Sequence, residues 1–427
     1  MIRRAALLLA LLAVVSTAFA QTPPRRTAIR AGRLIDGKGG APLANALIVI
    51  EGDRIVSVSA GGTPPPGAEV IDLSASTVLP GLIDTHTHIL LQGDITAADY
   101  DEQLLKQSIP YRAVLAARNA RLALEHGIIT MRDLETEGAM YADVDVKTAI
   151  ERGEVPGSRM FVATRAMAPT GMYPLSGYSW ELDLPHGVQL VDGVDGVRLA
   201  VREQVSKGAD WIKYYADRAY FYTPDGVLHS RVNFTAEEAK ALVDESHRLG
   251  RRVAAHAMAS DGIASALQAG VDTIEHGVGL TDELMDLMVA RGVYWVPTAA
   301  VLAHVAPGRG GNWPRMVETQ RAAFGRAVKK GVRIAFGTDA GGFAWTAFHQ
   351  ARELKVYVDY GMTPMAAIRS ATSVAAELLG LPDRFGTLEN GKVADIIAVP
   401  GDPLTDITAL ERAQFVMKAG VVYKSLK

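Results

Sequence analysis

A chain of 427 residues with 48% hydrophobic residues has enough apolar material for one large domain with a smaller one attached, which excludes global disorder. The formal net charge is -3 and no long basic run appears, which argues against a nucleic-acid partner. There is no cysteine, so disulfides, thiolate metal ligands and a cysteine-linked lipid anchor are excluded.

In chain order, Arg3 and Arg4 precede an apolar run over 5–15, and Ala18-Phe19-Ala20 supplies a small-x-small cleavage site. Residues 1–20 therefore read as a secretory signal peptide, with maturation at Gln21 and export to a periplasmic or extracellular space. The alternative is an uncleaved anchor. No later segment is long and apolar enough to cross a membrane, so no membrane association is expected after cleavage.

Residues 27–79 alternate apolar and polar positions with glycine and proline between them, as in "NALIVIEGDRIVSV". This predicts short strands, with "EGDRI" as a hairpin turn. "GKVADIIAVPGDPL" and "FVMKAGVVYKSL" near the end repeat the pattern. The expectation is one small β-sandwich domain built from 27–79 plus 385–427.

Residues 80–384 have another rhythm. Strand candidates "TVLPGLIDTHTH", "GIITMRDL", "GSRMFVAT", "GADWIKYYA", "RRVAAHAM", "VDTIEHGV", "VYWVPTA" and "VRIAFGTDA" alternate with helical runs. One of these runs, "TAEEAKALVDESHRLG", opens on the capping box Thr235-x-x-Glu238 and stops at Gly250. Eight strand candidates alternating with helices predict an α/β fold, a (β/α)₈ TIM barrel in preference to an open doubly wound sheet. No G-x-G-x-x-G follows an early strand, which weakens a dinucleotide-binding reading.

Polar residues sit where these strands end: His86 and His88, Lys213, His256, His276 and Asp339. Singly, each has an ordinary explanation in packing, snorkelling or turn formation. Together they fall on the rim where barrels carry their chemistry. His86 and His88 are two apart on one strand, so both can face the barrel mouth and hold one ion. Imidazole and carboxylate ligands suit zinc and similar divalent metals. Lys213 is out of place beside a dication unless its amine takes up carbon dioxide as a carbamate, an anionic ligand able to bridge two metals.

These residues resemble the metal-dependent amidohydrolase superfamily over nearly the whole mature chain. "VLPGLIDTHTH", "WIKYY", "AAHA", "TIEHG" and "FGTDA" look like its ligand strands, and both chain ends resemble its companion β-sandwich. The resemblance implies that His86, His88 and Asp339 hold a more buried ion and that His256 and His276 hold a more exposed one. It further implies a carboxylated Lys213 bridging the two, a bridging hydroxide as nucleophile, and Asp339 as the catalytic proton shuttle. Deaminases of the superfamily carry a Glu shortly after the fifth-strand His. "HAMASDG" has none, and with the lysine present this favours two metals and amide or ester hydrolysis.

Within the superfamily the chain looks most like the imidazolonepropionase-like and Xaa-Pro dipeptidase-like branch, and is similar to amidohydrolases that split ochratoxin A into ochratoxin α and phenylalanine. The implied substrate is an N-acyl or peptidyl C-terminal amino acid, small or dipeptide-like, with an aromatic or apolar residue. Relatives often carry Gly-Gly-His in the third-strand loop; here Tyr173 stands about where that His would be. Tyr215, Arg218, Tyr220 and Tyr222 after Lys213 could form an aromatic, cationic pocket for a carboxylate, or could equally pack the loop or an oligomer interface. Asp84, Arg132 and Asp133 are candidates for supporting the ligands. His126, His229, His247, His304 and His349 read as structural or surface residues. A homo-oligomer is expected. The rivals are a lactonase or cyclic-amide hydrolase, and a non-catalytic scaffold that would have lost ligands.

Overall fold

The computed structural model describes residues 25–93, 98–173 and 175–425, so the leader read at 1–20 lies outside the described residues. The strands in chain order are β1 Arg26–Leu34, β2 Leu43–Glu51, β3 Arg54–Ala60, β4 Glu69–Pro80, β5 Leu82–Thr87, β6 Ile128–Asp133, β7 Arg159–Val162, β8 Met167–Ala168, β9 Gln189–Leu190, β10 Trp211–Tyr215, β11 Asp217–Tyr222, β12 Leu228–Val232, β13 Arg252–Ala257, β14 Thr273–His276, β15 Tyr294–Val296, β16 Arg333–Ile334, β17 Ile396–Pro400, β18 Phe415–Lys418 and β19 Val421–Lys424.

Both chain ends contribute to a single sheet of order β19-β18-β17-β4-β1-β2-β3. The "EGDRI" turn pairs Glu51 with Arg54 across Gly52 and Asp53. Alternate residues of these strands, such as Ile29, Ile48, Ile396 and Phe415, pack into one cluster. The sequence predicted a sandwich; the described residues form one seven-stranded sheet.

The rest of the chain is α/β. Strands β10, β13, β14, β15 and β16 pair in parallel, as do β5, β6 and β7. Backbone bonds join the two groups at both edges. Asp210 N donates to Val162 O at 2.8 Å, and Thr85 N donates to Phe336 O at 2.9 Å. Thr87 also bridges Ala340 in parallel. The strands are buried on both faces, so they read as continuous apolar runs rather than alternating ones. Leu82, Ile128, Ile212, Val253 and Ile274 are fully buried in the shared core. Each such side chain contributes about 1.5–3 kcal/mol by leaving water.

The helix Ala236–Arg248 begins as its sequence predicts. Thr235 Oγ1 accepts from Glu238 N at 3.2 Å, and Glu238 accepts from Thr235 N at 2.9 Å. The antiparallel hairpin β11–β12, unforeseen in the sequence, occupies the stretch read as a loop after Lys213. Among the described residues, no helix is long and apolar enough to cross a membrane.

Candidate metal centre

β5 carries His86, and His88 follows it; the segment after β16 carries Asp339. His88 Nε2 lies 3.0 Å from Asp339 Oδ1, His86 Nε2 lies 3.6 Å from the same oxygen, and the two Nε2 atoms are 3.3 Å apart. Two glycines permit this approach. A Cβ on Gly337 would lie 2.8 Å from His86 Cβ and 2.3 Å from Val296 Cγ1, and one on Gly341 would lie 2.4 Å from His88 O. Gly337→Ala is therefore expected to push the Asp339 segment off the histidines and lower kcat about 100-fold. Steady-state kinetics at matched metal content checks this; a rate within threefold of the parent would refute it.

Asp84 clamps the same two segments. It accepts from His86 N at 3.1 Å, Thr338 N at 3.1 Å, Thr338 Oγ1 at 2.6 Å and Gln350 Nε2 at 3.0 Å. Burial pushes its carboxyl up to about 6 even so. Asp84 thus fixes backbone and loop rather than an imidazole. Asp133, pushed up by burial to about 7, plays a similar part by accepting from Ile89 N at 2.6 Å and Thr87 Oγ1 at 3.1 Å.

Glu275 is the residue the sequence reading missed. It is fully buried, and His86 Nδ1 lies 2.7 Å from its Oε2. Arg132, also buried, donates to Oε1 at 2.9 Å. A carboxylate acceptor at Nδ1 places that proton on His86 and leaves Nε2 with a free lone pair, as a metal ligand needs. A signal was present: "TMRDL" puts Arg132 and "TIEHG" puts Glu275 into fully buried strands, next to Asp133 and His276. Such charges must find each other.

Lys213 on β10, His256 on β13 and His276 at the end of β14 line one cavity with His88 and Asp339. The His256 and His276 rings are 4.6 Å apart, and those of His86 and His276 are 5.0 Å apart. His276 Nδ1 meets Thr298 Oγ1 at 2.8 Å, and His256 Nε2 meets Tyr220 Oη at 2.9 Å. Burial, with Lys213 and neighbouring histidines adding to it, holds His86 and His256 well below the usual imidazole range; burial takes His276 down to about 4. Burial likewise lowers His88, but the hydrogen bond and charge of Asp339 outweigh it and raise it to about 9. Burial lowers Lys213 against the charges of Glu275, Glu135 and Asp339. His276 and Asp339 both adopt left-handed backbone, with φ of 70° and 56°. This is strain of the kind concentrated at functional sites.

Of the five substrate-contact candidates, Tyr215 lines the cavity. Tyr173 is buried behind it, with the hydroxyls 3.4 Å apart and the Arg218 guanidinium 4.2 Å from the Tyr173 ring centroid. Tyr220 touches His256. Tyr222 turns away, bonded to Thr319 at 2.7 Å and covered by Arg315, so the structure does not bring it to the cavity. Nor does the structure bring in the other histidines. His126 stacks on His349, His229 meets Asp261, His247 meets Asp272 and His304 packs near Phe343.

Ochratoxinase from Aspergillus niger is 30% identical over 93% of this chain and 86% of its own length. A crystal structure of a Xaa-Pro dipeptidase with methionine bound in its active site superposes with a TM-score of 0.84, at 35% identity over 94% of this chain and 100% of its own. Imidazolonepropionase from Micrococcus luteus is 23% identical over 86% of this chain and 93% of its own length. The profile of the Amidohydrolase family matches residues 77–423, which takes in every residue of the metal-centre geometry, and the chain belongs to that family.

Proposed function

We propose that the chain is an exported, binuclear metal-dependent hydrolase that cleaves the amide bond of an N-acyl or peptidyl C-terminal amino acid, aromatic or apolar, with ochratoxin A as a candidate. The observation that carries this reading is the triangle of His86 Nε2, His88 Nε2 and Asp339 Oδ1, with edges of 3.0–3.6 Å. Zinc bonds near 2.1 Å in tetrahedral array would set ligand atoms about 3.4 Å apart. The donor set therefore fits one such ion, and His256, His276 and Lys213 in the same cavity are the candidates to hold a second. Eight parallel strands joined at both edges favour a closed (β/α)₈ barrel with this site at its C-terminal rim.

When bound, two divalent ions, taken as zinc, supply Lewis acidity and lower the pKa of water. His86, His256 and His276, held neutral, are ready to ligate. Burial also favours the neutral amine of Lys213, the form that can add to carbon dioxide with loss of a proton. Asp339 would take the proton of the attacking water and pass it to the leaving amine. The cavity wall includes Met258, Val301, Leu302, Val305 and Trp313, suited to an apolar side chain. Arg218, stacked on Tyr173 behind Tyr215, has a buried Nη1 without a hydrogen-bond partner among the described residues.

Likeness to the dipeptidase structure favours a second reading, a Xaa-Pro dipeptidase. A panel of N-acyl-phenylalanines, Xaa-Pro dipeptides and lactones separates these, alongside metal analysis expected to find about two ions per chain. His256→Ala should abolish turnover with unchanged circular dichroism, since its ring hydrogen-bonds only Tyr220 among the described residues. Full activity after chelation would sink the mechanism. Exposed Tyr178, Trp180 and Leu182 on the third-strand loop support a homo-oligomer, to be checked by mass in solution.

A further inference from the structure

The loop after β6 places two acids beside the centre that the ligand set does not use. Glu135 and Glu137 are buried, and their carboxylate oxygens lie within 4.8 Å of each other and of a His88 ring nitrogen. Tyr215 donates to Glu135 Oε2 at 2.7 Å, yet Glu135 Oε1 is buried with no partner among the described residues. Tyr100 donates to Glu137 Oε2 at 2.8 Å, and Glu137 lines the same cavity as Lys213, His256 and Asp339. The charges of His88, Arg112 and Arg218 act on Glu137, but the side-chain donor that hydrogen-bonds it is the neutral Tyr100 hydroxyl, so a cation entering the cavity can pair with it directly.

The position limits which cation. In a dipeptide the α-ammonium nitrogen is about 2.5 Å from the scissile carbonyl carbon, by backbone geometry. Its acceptor must therefore stand next to the metal ligands, as Glu137 does. A basic side chain would carry its charge several bonds further away. We propose that Glu137, backed by Glu135, binds the free α-ammonium group of the residue on the N-terminal side of the cleaved bond. The natural substrates are then dipeptides with a free amino terminus, and acyl amino acids lacking the amine are secondary. This rests on the amide-hydrolase reading above and narrows its substrate class.

The test uses the metal-loaded protein with L-Ala-L-Phe and N-propionyl-L-Phe, which differ only by the amine. The expected ratio of kcat/KM is about 30-fold or more in favour of the dipeptide. Glu137→Gln should bring that ratio to within about threefold of one, and Glu137→Asp should keep part of it. Tyr100→Phe, which removes the hydroxyl that orients the carboxylate, is the second variant and should lower the ratio partway. Non-hydrolysable ketomethylene analogues with and without the amine should show the same ratio in Kd by calorimetry. Equal rates for the two substrates, or a Glu137→Gln variant that slows both alike and keeps the ratio, would overturn the inference alone. No cleavage of either substrate would overturn the amide-hydrolase reading itself.

Discussion

Asp339→Asn is expected to lower kcat about 1,000-fold while the protein keeps its fold. Asparagine preserves the shape of the side chain, so Thr338, Gly337 and the Asp84 clamp stay in place. What it removes is the charge and the ability to accept a proton. Burial alone would raise the Asp339 carboxyl. The His88 hydrogen bond and the charges of His86, His88 and His276 outweigh it and hold the group well below the usual carboxylate range. The group is thus ionised at neutral pH and faces the same space as both histidines. The measurement is kcat at saturating metal, with metal content and circular dichroism recorded for the same sample. A variant that holds its metal and turns over within tenfold of the parent would remove Asp339 from the proton path.

Glu275→Gln should weaken metal binding by about 10- to 100-fold, although Glu275 is not in the proposed ligand set. Its two oxygens face the His86 imidazole and the Arg132 guanidinium, and all three side chains are fully buried. Losing the carboxylate charge loosens the hold on the His86 tautomer and leaves Arg132 as an uncompensated buried cation. Breaking one side of such a pair costs about 3–5 kcal/mol of stability. Competition with a chelating dye reads the affinity, and a denaturant midpoint reads the stability. Adding Arg132→Met should recover much of the stability without restoring the affinity, because the methionine needs no partner and His86 still lacks its acceptor. Unchanged affinity in Glu275→Gln would show that His86 orients itself by packing alone.

The strands and helices were legible because burial leaves a simple trace: apolar runs ending in a polar residue, then a glycine or a cap. His86, His88, His256, His276 and Asp339 could be found that way, since each stands at or near such an ending; Lys213, read as a strand end, lies instead in the middle of β10, because the buried run continues through Tyr214 and Tyr215. Glu275 was hidden by its neighbour: in "TIEHG" the eye goes to His276, and only the pairing with Arg132 on another strand gives the glutamate a role. Glu135 and Glu137 lie beyond the end of β6, where no periodicity says whether a side chain turns inward. Tyr222 misled for the converse reason: the aromatic-rich stretch after Lys213 folded into a hairpin, and although Tyr220 and Tyr222 share one face of β11, Tyr220 meets His256 while Tyr222, two residues further on, meets Thr319. The sheet built from both ends was foreseeable in content but not in layering, because strand order is decided by contacts between segments more than 300 residues apart.

Asp84 ties a strand near the start of the chain to a loop 254 residues later. Contacts over such separation are among the slowest that a chain makes. A half-made protein therefore owns His86 and His88 but has no Asp339 to set against them, and two adjacent imidazoles on an open strand are a weak and unselective trap. Strong uptake of metal would have to wait until the Asp339 segment has docked. The clamp would thus make metal occupancy a sign that the chain has been made and folded at least through Asp339.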